Sequence, residues 1–287
     1  MDYSPPPVSA IPLFDAYAPA EVAVRVRDIG VVKARAPLLT LIALAVLAGA
    51  FISLGALFYS ISITPGPGAG SMHFGLSRFA GGIAFSLGLV LVVVGGAELF
   101  TGNNLLAMAW AANRVTTAQV VRNWSWVYLG NLMGALGTAL FVFVAGIHTL
   151  DDGSVGETML RIARGKVTLD PIAAIARGML CNVLVCLAVW LCMAARSVTD
   201  KIMAVVFPIS AFVACGFEHS VANMFFLPLG MVLAATSGVP ISFADTVHNL
   251  FYVTVGNILG GTVLVALVYW FVYLREDHKG RHKGDGG

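Results

Sequence analysis

Charged residues are scarce in this chain. Asp, Glu, Lys and Arg make up 11% of its 287 residues, 58% are hydrophobic, and the mean hydropathy is +0.86. A water-soluble domain of this size needs more polar surface than these residues supply. The formal net charge is only +2, which gives no reason to expect a nucleic-acid partner. The composition therefore predicts an integral membrane protein with the lipid bilayer as its solvent.

Motifs that mark enzymes and metal sites are missing as well. The sequence contains no Walker A loop, no G-x-S-x-G, no H-E-x-x-H and no cluster of Cys and His. The four cysteines lie inside apolar runs without a C-x-x-C pair, so we interpret them as small packing residues. We expect no enzyme activity, no metal site and no cofactor.

The first 36 residues lack the basic segment and apolar core of a secretory signal peptide. Val22, Val26 and Ile29 fall on one helical face, and Lys33 is among the polar positions. This pattern predicts a short amphipathic helix on the membrane surface within residues 1–36. A solvated lead-in segment is the alternative.

Six apolar runs are long enough to cross a bilayer. They cover about 37–62, 79–112, 124–148, 171–195, 202–236 and 247–274. The second and fifth runs are too long for one straight helix and carry Glu98, and Glu218 with His219, near their middles. A charge at the centre of a span costs roughly 2.5–3.5 kcal/mol on insertion scales, so these groups are expected to face a cavity or a polar partner. Residues 37–274 are predicted to form one six-span transmembrane channel domain.

The basic residues are distributed unevenly between the two sides of this domain. Twelve of the 17 Lys and Arg residues fall on the side that holds both termini. The positive-inside rule then places both termini in the cytoplasm of a multi-pass inner-membrane protein. Residues 275–287 are expected to be a solvated cytoplasmic tail.

Two motifs occur twice, in the same order. G-x-E-x4-N contains Glu98 and Asn103 in the second span, and Glu218 and Asn223 in the fifth. N-x6-G-N-x2-G follows in the third and sixth spans, at 123–134 and 249–260. The chain is therefore predicted to hold two copies of a three-span unit.

An odd number of spans makes the second copy enter the membrane from the opposite side. Inverted repeats with interrupted spans indicate a pathway near the midplane, where irregular backbone can line a cavity. We predict that the second and fifth spans are broken at their E-x4-N segments.

These motifs resemble the formate/nitrite transporter family, and its formate-channel branch in particular. The resemblance is carried by residues 85–103, 185–201, 216–225 and 256–261, and it extends over roughly residues 20–277. It implies an aquaporin-like arrangement of helices and a homopentamer in which each protomer has its own pore. The loop between the fifth and sixth spans is short compared with some formate channels.

The resemblance also implies roles for single residues. His219 matches the central pore histidine, Thr101 the threonine that faces it, and Asn223 a polar companion. Lys166 matches a lysine of the outer vestibule, and Asn182 an asparagine near it. The apolar residues implied to narrow the pore are Phe85, Leu89, Leu99 and Phe212. Without the resemblance, these four would be ordinary packing residues and Lys166 part of a solvated charge run.

His219 could act in two ways that the sequence does not separate. It could exchange a proton with a weak-acid anion, or it could attract the anion as a cation. Glu98 and Glu218 would repel an anion in the path, so we expect them to accept hydrogen bonds from freed backbone N–H groups at the breaks. A proton relay through these carboxyls is the alternative.

The expected function is transport of small monovalent anions of weak acids, formate first and nitrite or hydrosulfide second. Channel and proton-coupled mechanisms stay open. A membrane redox subunit, an aquaporin or an ammonium channel is less consistent with the sequence. Paired haem histidines, twin NPA segments and twin pore histidines are all missing from it.

Overall fold

The structure, a computed structural model, describes residues 15–65, 73–235, 238 and 240–275. Within these ranges the regular structure is helical and no strand occurs. The α-helices are α1 Pro19–Ala34, α2 Leu38–Ser62, α3 Phe74–Gly95, α4 Ala107–Ala111, α5 Thr117–Val144, α6 Ser154–Val167, α7 Pro171–Ala194, α8 Val198–Cys215, α9 Ser220–Ala235, α10 Phe243–Ile258 and α11 Val268–Tyr273. Gly102–Leu106 and Ile147–Thr149 are 3₁₀ turns, and Leu259–Leu267 is a π-helix that joins α10 to α11.

Six of these segments are long and apolar enough to span a membrane, which confirms the predicted number. They are α2, α3, α5, α7, α8 and the continuous segment Phe243–Tyr273. Their outer faces are apolar: Leu39, Phe141 and Ile172 are each more than three-quarters exposed in the protomer. The second span begins at Phe74, earlier than its apolar run, because helix formation tolerates the polar residues that precede the run.

Local sequence explains where the spans begin. The side chains of Thr116, Ser197 and Ser242 each accept a hydrogen bond from a backbone N–H in the first turn of α5, α8 and α10. Asp170 does the same for α7, whose first residue is Pro171.

The second and fifth spans are interrupted where the repeated motif occurs. α3 ends at Gly95 and helical structure resumes at Gly102, whereas α8 ends at Cys215 and α9 begins at Ser220. Gly96 and Gly216, the first residues of the two motifs, have φ angles of +80° and +73°. This left-handed backbone favours glycine and ends an α-helix. Irregular backbone therefore follows α3 and α8, within or beside the two E-x4-N segments.

The second motif brings pairs of helices into close contact. Gly134 lies against the backbone of Val46, which joins α5 to α2. Gly256 lies against the backbone of Ile175, which joins α10 to α7. Such small residues let helix backbones approach closely in a bilayer.

Two helices flank the spans. α1 is the predicted N-terminal amphipathic helix, but its buried residues, such as Val22 and Val26, pack against the protein, on the 3₁₀ turn, α4, α7 and α11. α6 lies in the segment interpreted as charged and external, and it packs on α9. Most of the predicted tail, from residue 276 onward, lies outside the described residues and stays a prediction.

Candidate transport site

Two asparagines replace the backbone hydrogen bonds that the breaks remove. Asn131 Nδ2 donates to the carbonyls of Ala45 and Glu98, at 2.8 and 2.9 Å, and its Oδ1 accepts from Phe100 N at 2.9 Å. Asn131 is fully buried. A buried amide with these partners satisfies polar backbone groups that lipid cannot.

Asn257 makes the same set of bonds at the other break. Its Nδ2 donates to the carbonyls of Gly178 and Glu218, both at 2.9 Å, and its Oδ1 accepts from Ser220 N at 2.9 Å. Asn131 and Asn257 are the asparagines of the G-N pair in the second repeated motif. The motif thus supplies both the amide and the glycines that seat it.

Glu98 belongs to a polar network on the side of α1. Lys33 Nζ lies 2.9 Å from Glu98 Oε1, and Asn103 Nδ2 donates to Oε2 at 2.7 Å. Asn103 Nδ2 also lies 2.9 Å from Asn123 Oδ1, and Asn123 Nδ2 donates to the Lys33 carbonyl at 3.1 Å. The carboxylate is balanced by a lysine and held in place by amides.

Glu218 has the same network on the side of α6. Lys166 Nζ lies 3.0 Å from Glu218 Oε2, which also accepts from Asn223 Nδ2 at 2.7 Å. Asn223 Nδ2 lies 2.8 Å from Asn249 Oδ1, and Asn249 Nδ2 donates to the Lys166 carbonyl at 2.8 Å. Lys166 is therefore a partly buried ion-pair partner and not part of a solvated charge run.

The partners of the two glutamates differ from the expectation. Their carboxylates accept hydrogen bonds from lysine and asparagine side chains, whereas backbone N–H donors were expected. The expectation was wrong because α1 and α6 bring a lysine to each break from a distant part of the chain.

Lys33 was not identified from the sequence as a site residue. Both lysines shortly precede a proline at the start of a span, Lys33 before Pro37 and Lys166 before Pro171. This shared order of a lysine and then a proline was the sequence signal that could have identified Lys33.

Thr101 and His219 meet between the two breaks. Thr101 Oγ1 lies 3.0 Å from His219 Nε2, and both residues are buried. His219 Nδ1 accepts a hydrogen bond from Ala222 N at 3.1 Å. Because a ring nitrogen that accepts an N–H bond carries no proton, the proton of the neutral ring is on Nε2 and is donated to Thr101. The Thr101 hydroxyl hydrogen can then be donated to a third group.

Asn182 is hydrogen-bonded to the backbone at the break of the second span. Its Nδ2 lies within hydrogen-bond distance of Thr101 O at 3.2 Å, Asn104 Oδ1 at 3.1 Å and Asn257 O at 2.7 Å, and the residue is fully buried. It lies behind the Thr101 backbone and lines neither of the cavities described below. The expected position near Lys166 stays a prediction, and the observed contacts of this side chain are with the break of the second span and with Asn257.

Two cavities reach toward Thr101 and His219 along α3. The α1 cavity, about 220 Å³, is lined by Lys33 and Glu98 and by apolar residues that include Leu89 and Leu99. The α6 cavity, about 240 Å³, is lined by Lys166, Glu218 and His219 with Phe85 and Phe212. The α6 cavity meets α3 from Arg78 to Phe85 and the α1 cavity meets it from Leu89 onward, so the cavities lie toward opposite ends of this span.

Apolar side chains separate these cavities. Phe85, Leu89, Leu99 and Phe212 are each no more than 3% exposed. The Phe85 and Phe212 rings meet edge to face with centroids 5.5 Å apart, and the Phe212 ring stacks on His219 at 5.9 Å. The four residues implied to narrow a pore thus belong to one buried apolar cluster, which contacts His219 through Phe212. Among the described residues, no group of three or more His, Cys, Asp or Glu side chains is placed to hold a metal ion.

Comparison with known proteins gives consistent relatives. The family model described as "Formate/nitrite transporter" matches residues 20–271. The chain is 43% identical over 281 residues to "Formate channel FocA" of Escherichia coli (strain K12), covering 92% of this chain and 98% of the relative. It is 41% identical over 275 residues to "Probable formate transporter" of Methanothermobacter thermautotrophicus, covering 90% and 98%.

Solved structures agree with these relatives. The chain is similar to "Pentameric formate channel with formate bound", with a TM-score of 0.74 and 38% identity, over 83% of this chain and 98% of that one. It is also similar to "FNT family ion channel", with a TM-score of 0.75 and 30% identity, over 88% and 98%.

Proposed function

The chain belongs to the formate/nitrite transporter family, and from this premise we propose that it carries small monovalent anions of weak acids across the membrane, formate foremost. Relatives named as formate channels or transporters support formate. The observation that carries the proposal is the Thr101–His219 pair at 3.0 Å, placed between two cavities that apolar side chains separate.

The apolar barrier explains why a weak-acid anion suits this path. An ion that leaves water for an apolar constriction loses its hydration, which is costly unless the charge is paired or neutralised. Formate can be neutralised by one proton, whereas chloride, the anion of a strong acid, stays charged in water. The substrate would therefore pass the Phe85 and Leu89 levels of α3 as the neutral acid.

The Thr101 hydroxyl is the donor that we assign to the anion within the apolar barrier. His219 Nε2–H bonds to the hydroxyl oxygen, which leaves the hydroxyl hydrogen for the substrate. To deliver a proton, the ring must first bind a second proton at Nδ1 and give up its bond from Ala222 N. Nε2 then passes a proton through the Thr101 hydroxyl to the carboxylate, which leaves the ring neutral with its proton on Nδ1. The starting form returns when Nε2 takes up a proton from water of the α6 cavity, which His219 lines, and Nδ1 releases its own to water.

Nitrite is the second candidate, because the family description names both anions. It resembles formate in charge and size, and it is also the anion of a weak acid. Hydrosulfide is a smaller anion of the same kind.

The proposal includes an assembly and an orientation. A solved relative is described as a pentameric formate channel, so we infer a homopentamer with one path per protomer. The basic-residue asymmetry supports cytoplasmic termini and a place in the inner membrane. Native mass measurement in detergent should give about 150 kDa, five chains of 30.1 kDa. A stable monomer or trimer would contradict the assembly.

Anion flux into liposomes tests the function directly. Uptake of formate, nitrite and hydrosulfide is compared at two pH values, with protein-free liposomes and Thr101→Val as controls. Formate should enter faster than the other two and faster at the lower pH, and Thr101→Val should lose most of this flux. Flux equal to that of protein-free liposomes would overturn the proposal.

A further inference from the structure

Three arginines line the α6 cavity in addition to Lys166. They are Arg78 at the start of α3, Arg161 on α6 and Arg177 on α7. Arg161 and Arg177 are exposed to solvent, and Arg78 is partly exposed. Three helices far apart in the chain thus bring guanidinium groups to one cavity.

Their charge is not balanced inside the cavity. Glu218 is its only acidic lining residue among those described, and Lys166 is paired with it at 3.0 Å. Within the described part of the chain, no carboxylate lies within 4.0 Å of the three guanidinium groups. Arg78 Nε donates to the Ala214 carbonyl at 3.0 Å, a bond that leaves its positive charge in place.

The α1 cavity provides an internal comparison, because the networks at the two breaks are equivalent. Lys33 and Lys166 are 133 residues apart, and so are Leu44 and Arg177. The carbonyls of Leu44 and Arg177 have the same role: each accepts a hydrogen bond from the backbone N–H of a motif glutamate, at 3.1 and 3.2 Å. Positions on the two sides can therefore be matched one to one.

None of the three arginines has a basic counterpart. Arg177 corresponds to Leu44, and Arg161, by the same interval, to Asp28. Asp28 is paired with Arg27 at 2.8 Å, and that guanidinium lowers the pKa of the carboxyl. Arg78 corresponds to Val198, by the interval of 120 residues that separates Glu98 from Glu218. Since the α1 side builds its break without counterparts of Arg161 and Arg177, the break does not require those two charges.

We propose that Arg78, Arg161 and Arg177 form an anion-capture site in the α6 cavity, which makes the two mouths of the path unequal. A guanidinium group suits a small carboxylate because its N–H groups match both oxygens. The captured anion is delivered to the cavity wall that contains His219. The inference rests on the proposed function, since the captured anion is the transported one.

The test measures formate flux from each side separately, in right-side-out and inverted membrane vesicles. The double variant, Arg161→Gln with Arg177→Gln, removes two positive charges. It leaves Arg78 in place, because the Arg78 side chain also donates to the Ala214 carbonyl near the end of α8. Arg114→Gln is the control, because it removes one charge outside both cavities. Under the proposed topology the α6 cavity opens outward, so right-side-out vesicles report on it.

At low salt, each arginine about 8 Å from the anion should raise the affinity for formate roughly twofold if its surroundings are water-like. The double variant should therefore need about four- to fivefold more formate for half-saturation from the α6 side, with little change from the α1 side. In the parent, raising the salt to about 1 M should reproduce this loss, because screening then acts over ~3 Å. Arg114→Gln should behave as the parent.

Equal shifts from both sides, or none, would overturn the inference while leaving the proposed function in place. If the parent protein carries no formate from the α6 side and none from the α1 side, the proposed function itself is contradicted. Each single variant is measured as well, so a double variant that misfolds, recognised by loss of flux from the α1 side, still leaves a decisive comparison.

Discussion

His219 combines two hydrogen bonds that fix how its ring can act. The backbone N–H of Ala222 occupies Nδ1, and Thr101 Oγ1 lies 3.0 Å from Nε2. The ring is thereby oriented with its proton-bearing nitrogen toward the Thr101 hydroxyl. Protonation of Nδ1 would break the hydrogen bond from Ala222 N.

Replacing His219 by Asn tests this role. Asparagine keeps hydrogen bonding and approximate size but cannot exchange a proton, whereas an imidazole can near neutral pH. We expect the parent's formate flux between pH 5 and 8 to change more steeply than the titration of formic acid explains. His219→Asn should lose that additional steepness. The variant must elute with the parent's oligomeric mass, and an unchanged pH profile would make His219 a structural residue.

The Lys33–Glu98 pair allows a second test at the residue scale. Lys33 Nζ lies 2.9 Å from Glu98 Oε1, and the Glu98 side chain is only 12% exposed. Lys33→Met leaves a mostly buried carboxylate unpaired. Breaking a buried ion pair in this way lowers the free energy of unfolding by about 3 kcal/mol. The double variant with Glu98→Gln should recover most of that loss, because no charge then remains unpaired.

Thermal unfolding in detergent measures this recovery as a double-mutant cycle. The matched control is the same cycle at Lys166 and Glu218, whose atoms are 3.0 Å apart. Equivalent networks should give similar coupling at both breaks. Additive effects of the two single changes would mean that the ion pair does not stabilise the break.

At the scale of the elements, the breaks in the second and fifth spans create the site. Each begins at a glycine with positive φ and is closed by an asparagine from the following repeated motif. The backbone freed at the breaks brings Thr101 and His219 together, and α3 and α8 add the rings of Phe85 and Phe212. A continuous helix would have placed these side chains at different heights.

The apolar barrier between the cavities is tested by shortening its side chains. Phe212→Ala and Leu99→Ala should each admit water beside His219 and raise chloride leakage by severalfold. Leu39→Ala is the matched control, since Leu39 is 83% exposed and lies outside both cavities. Unchanged ion selectivity in both barrier variants would identify Phe212 and Leu99 as packing residues.

At the scale of the whole molecule, six spans leave both termini on one side of the membrane. The excess of Lys and Arg on that side supports our proposal that it faces the cytoplasm. A reporter active only in the cytoplasm and fused after Arg281, outside the described residues, should therefore be active. A second reporter that works only outside the cytoplasm should be silent at the same position. The reverse pattern would remove the proposed orientation.

Much of this molecule follows from sequence alone. Spans are set by local apolar length, and breaks by glycine and polar residues in short motifs, so both could be predicted from neighbouring residues. Family resemblance added Thr101, His219 and the four apolar residues as candidates, which the structure brings together. The inverted orientation of the two copies stays a prediction.

Only the tertiary structure decided which residues are partners. Lys33 reaches Glu98 across 65 residues, and Asn182 bonds to the Thr101 carbonyl across 81. Such contacts depend on how separate helices pack, and packing is not encoded in any local window of sequence. For the same reason, the three arginines of the α6 cavity are separate residues in the sequence and become one charged wall only when α3, α6 and α7 come together.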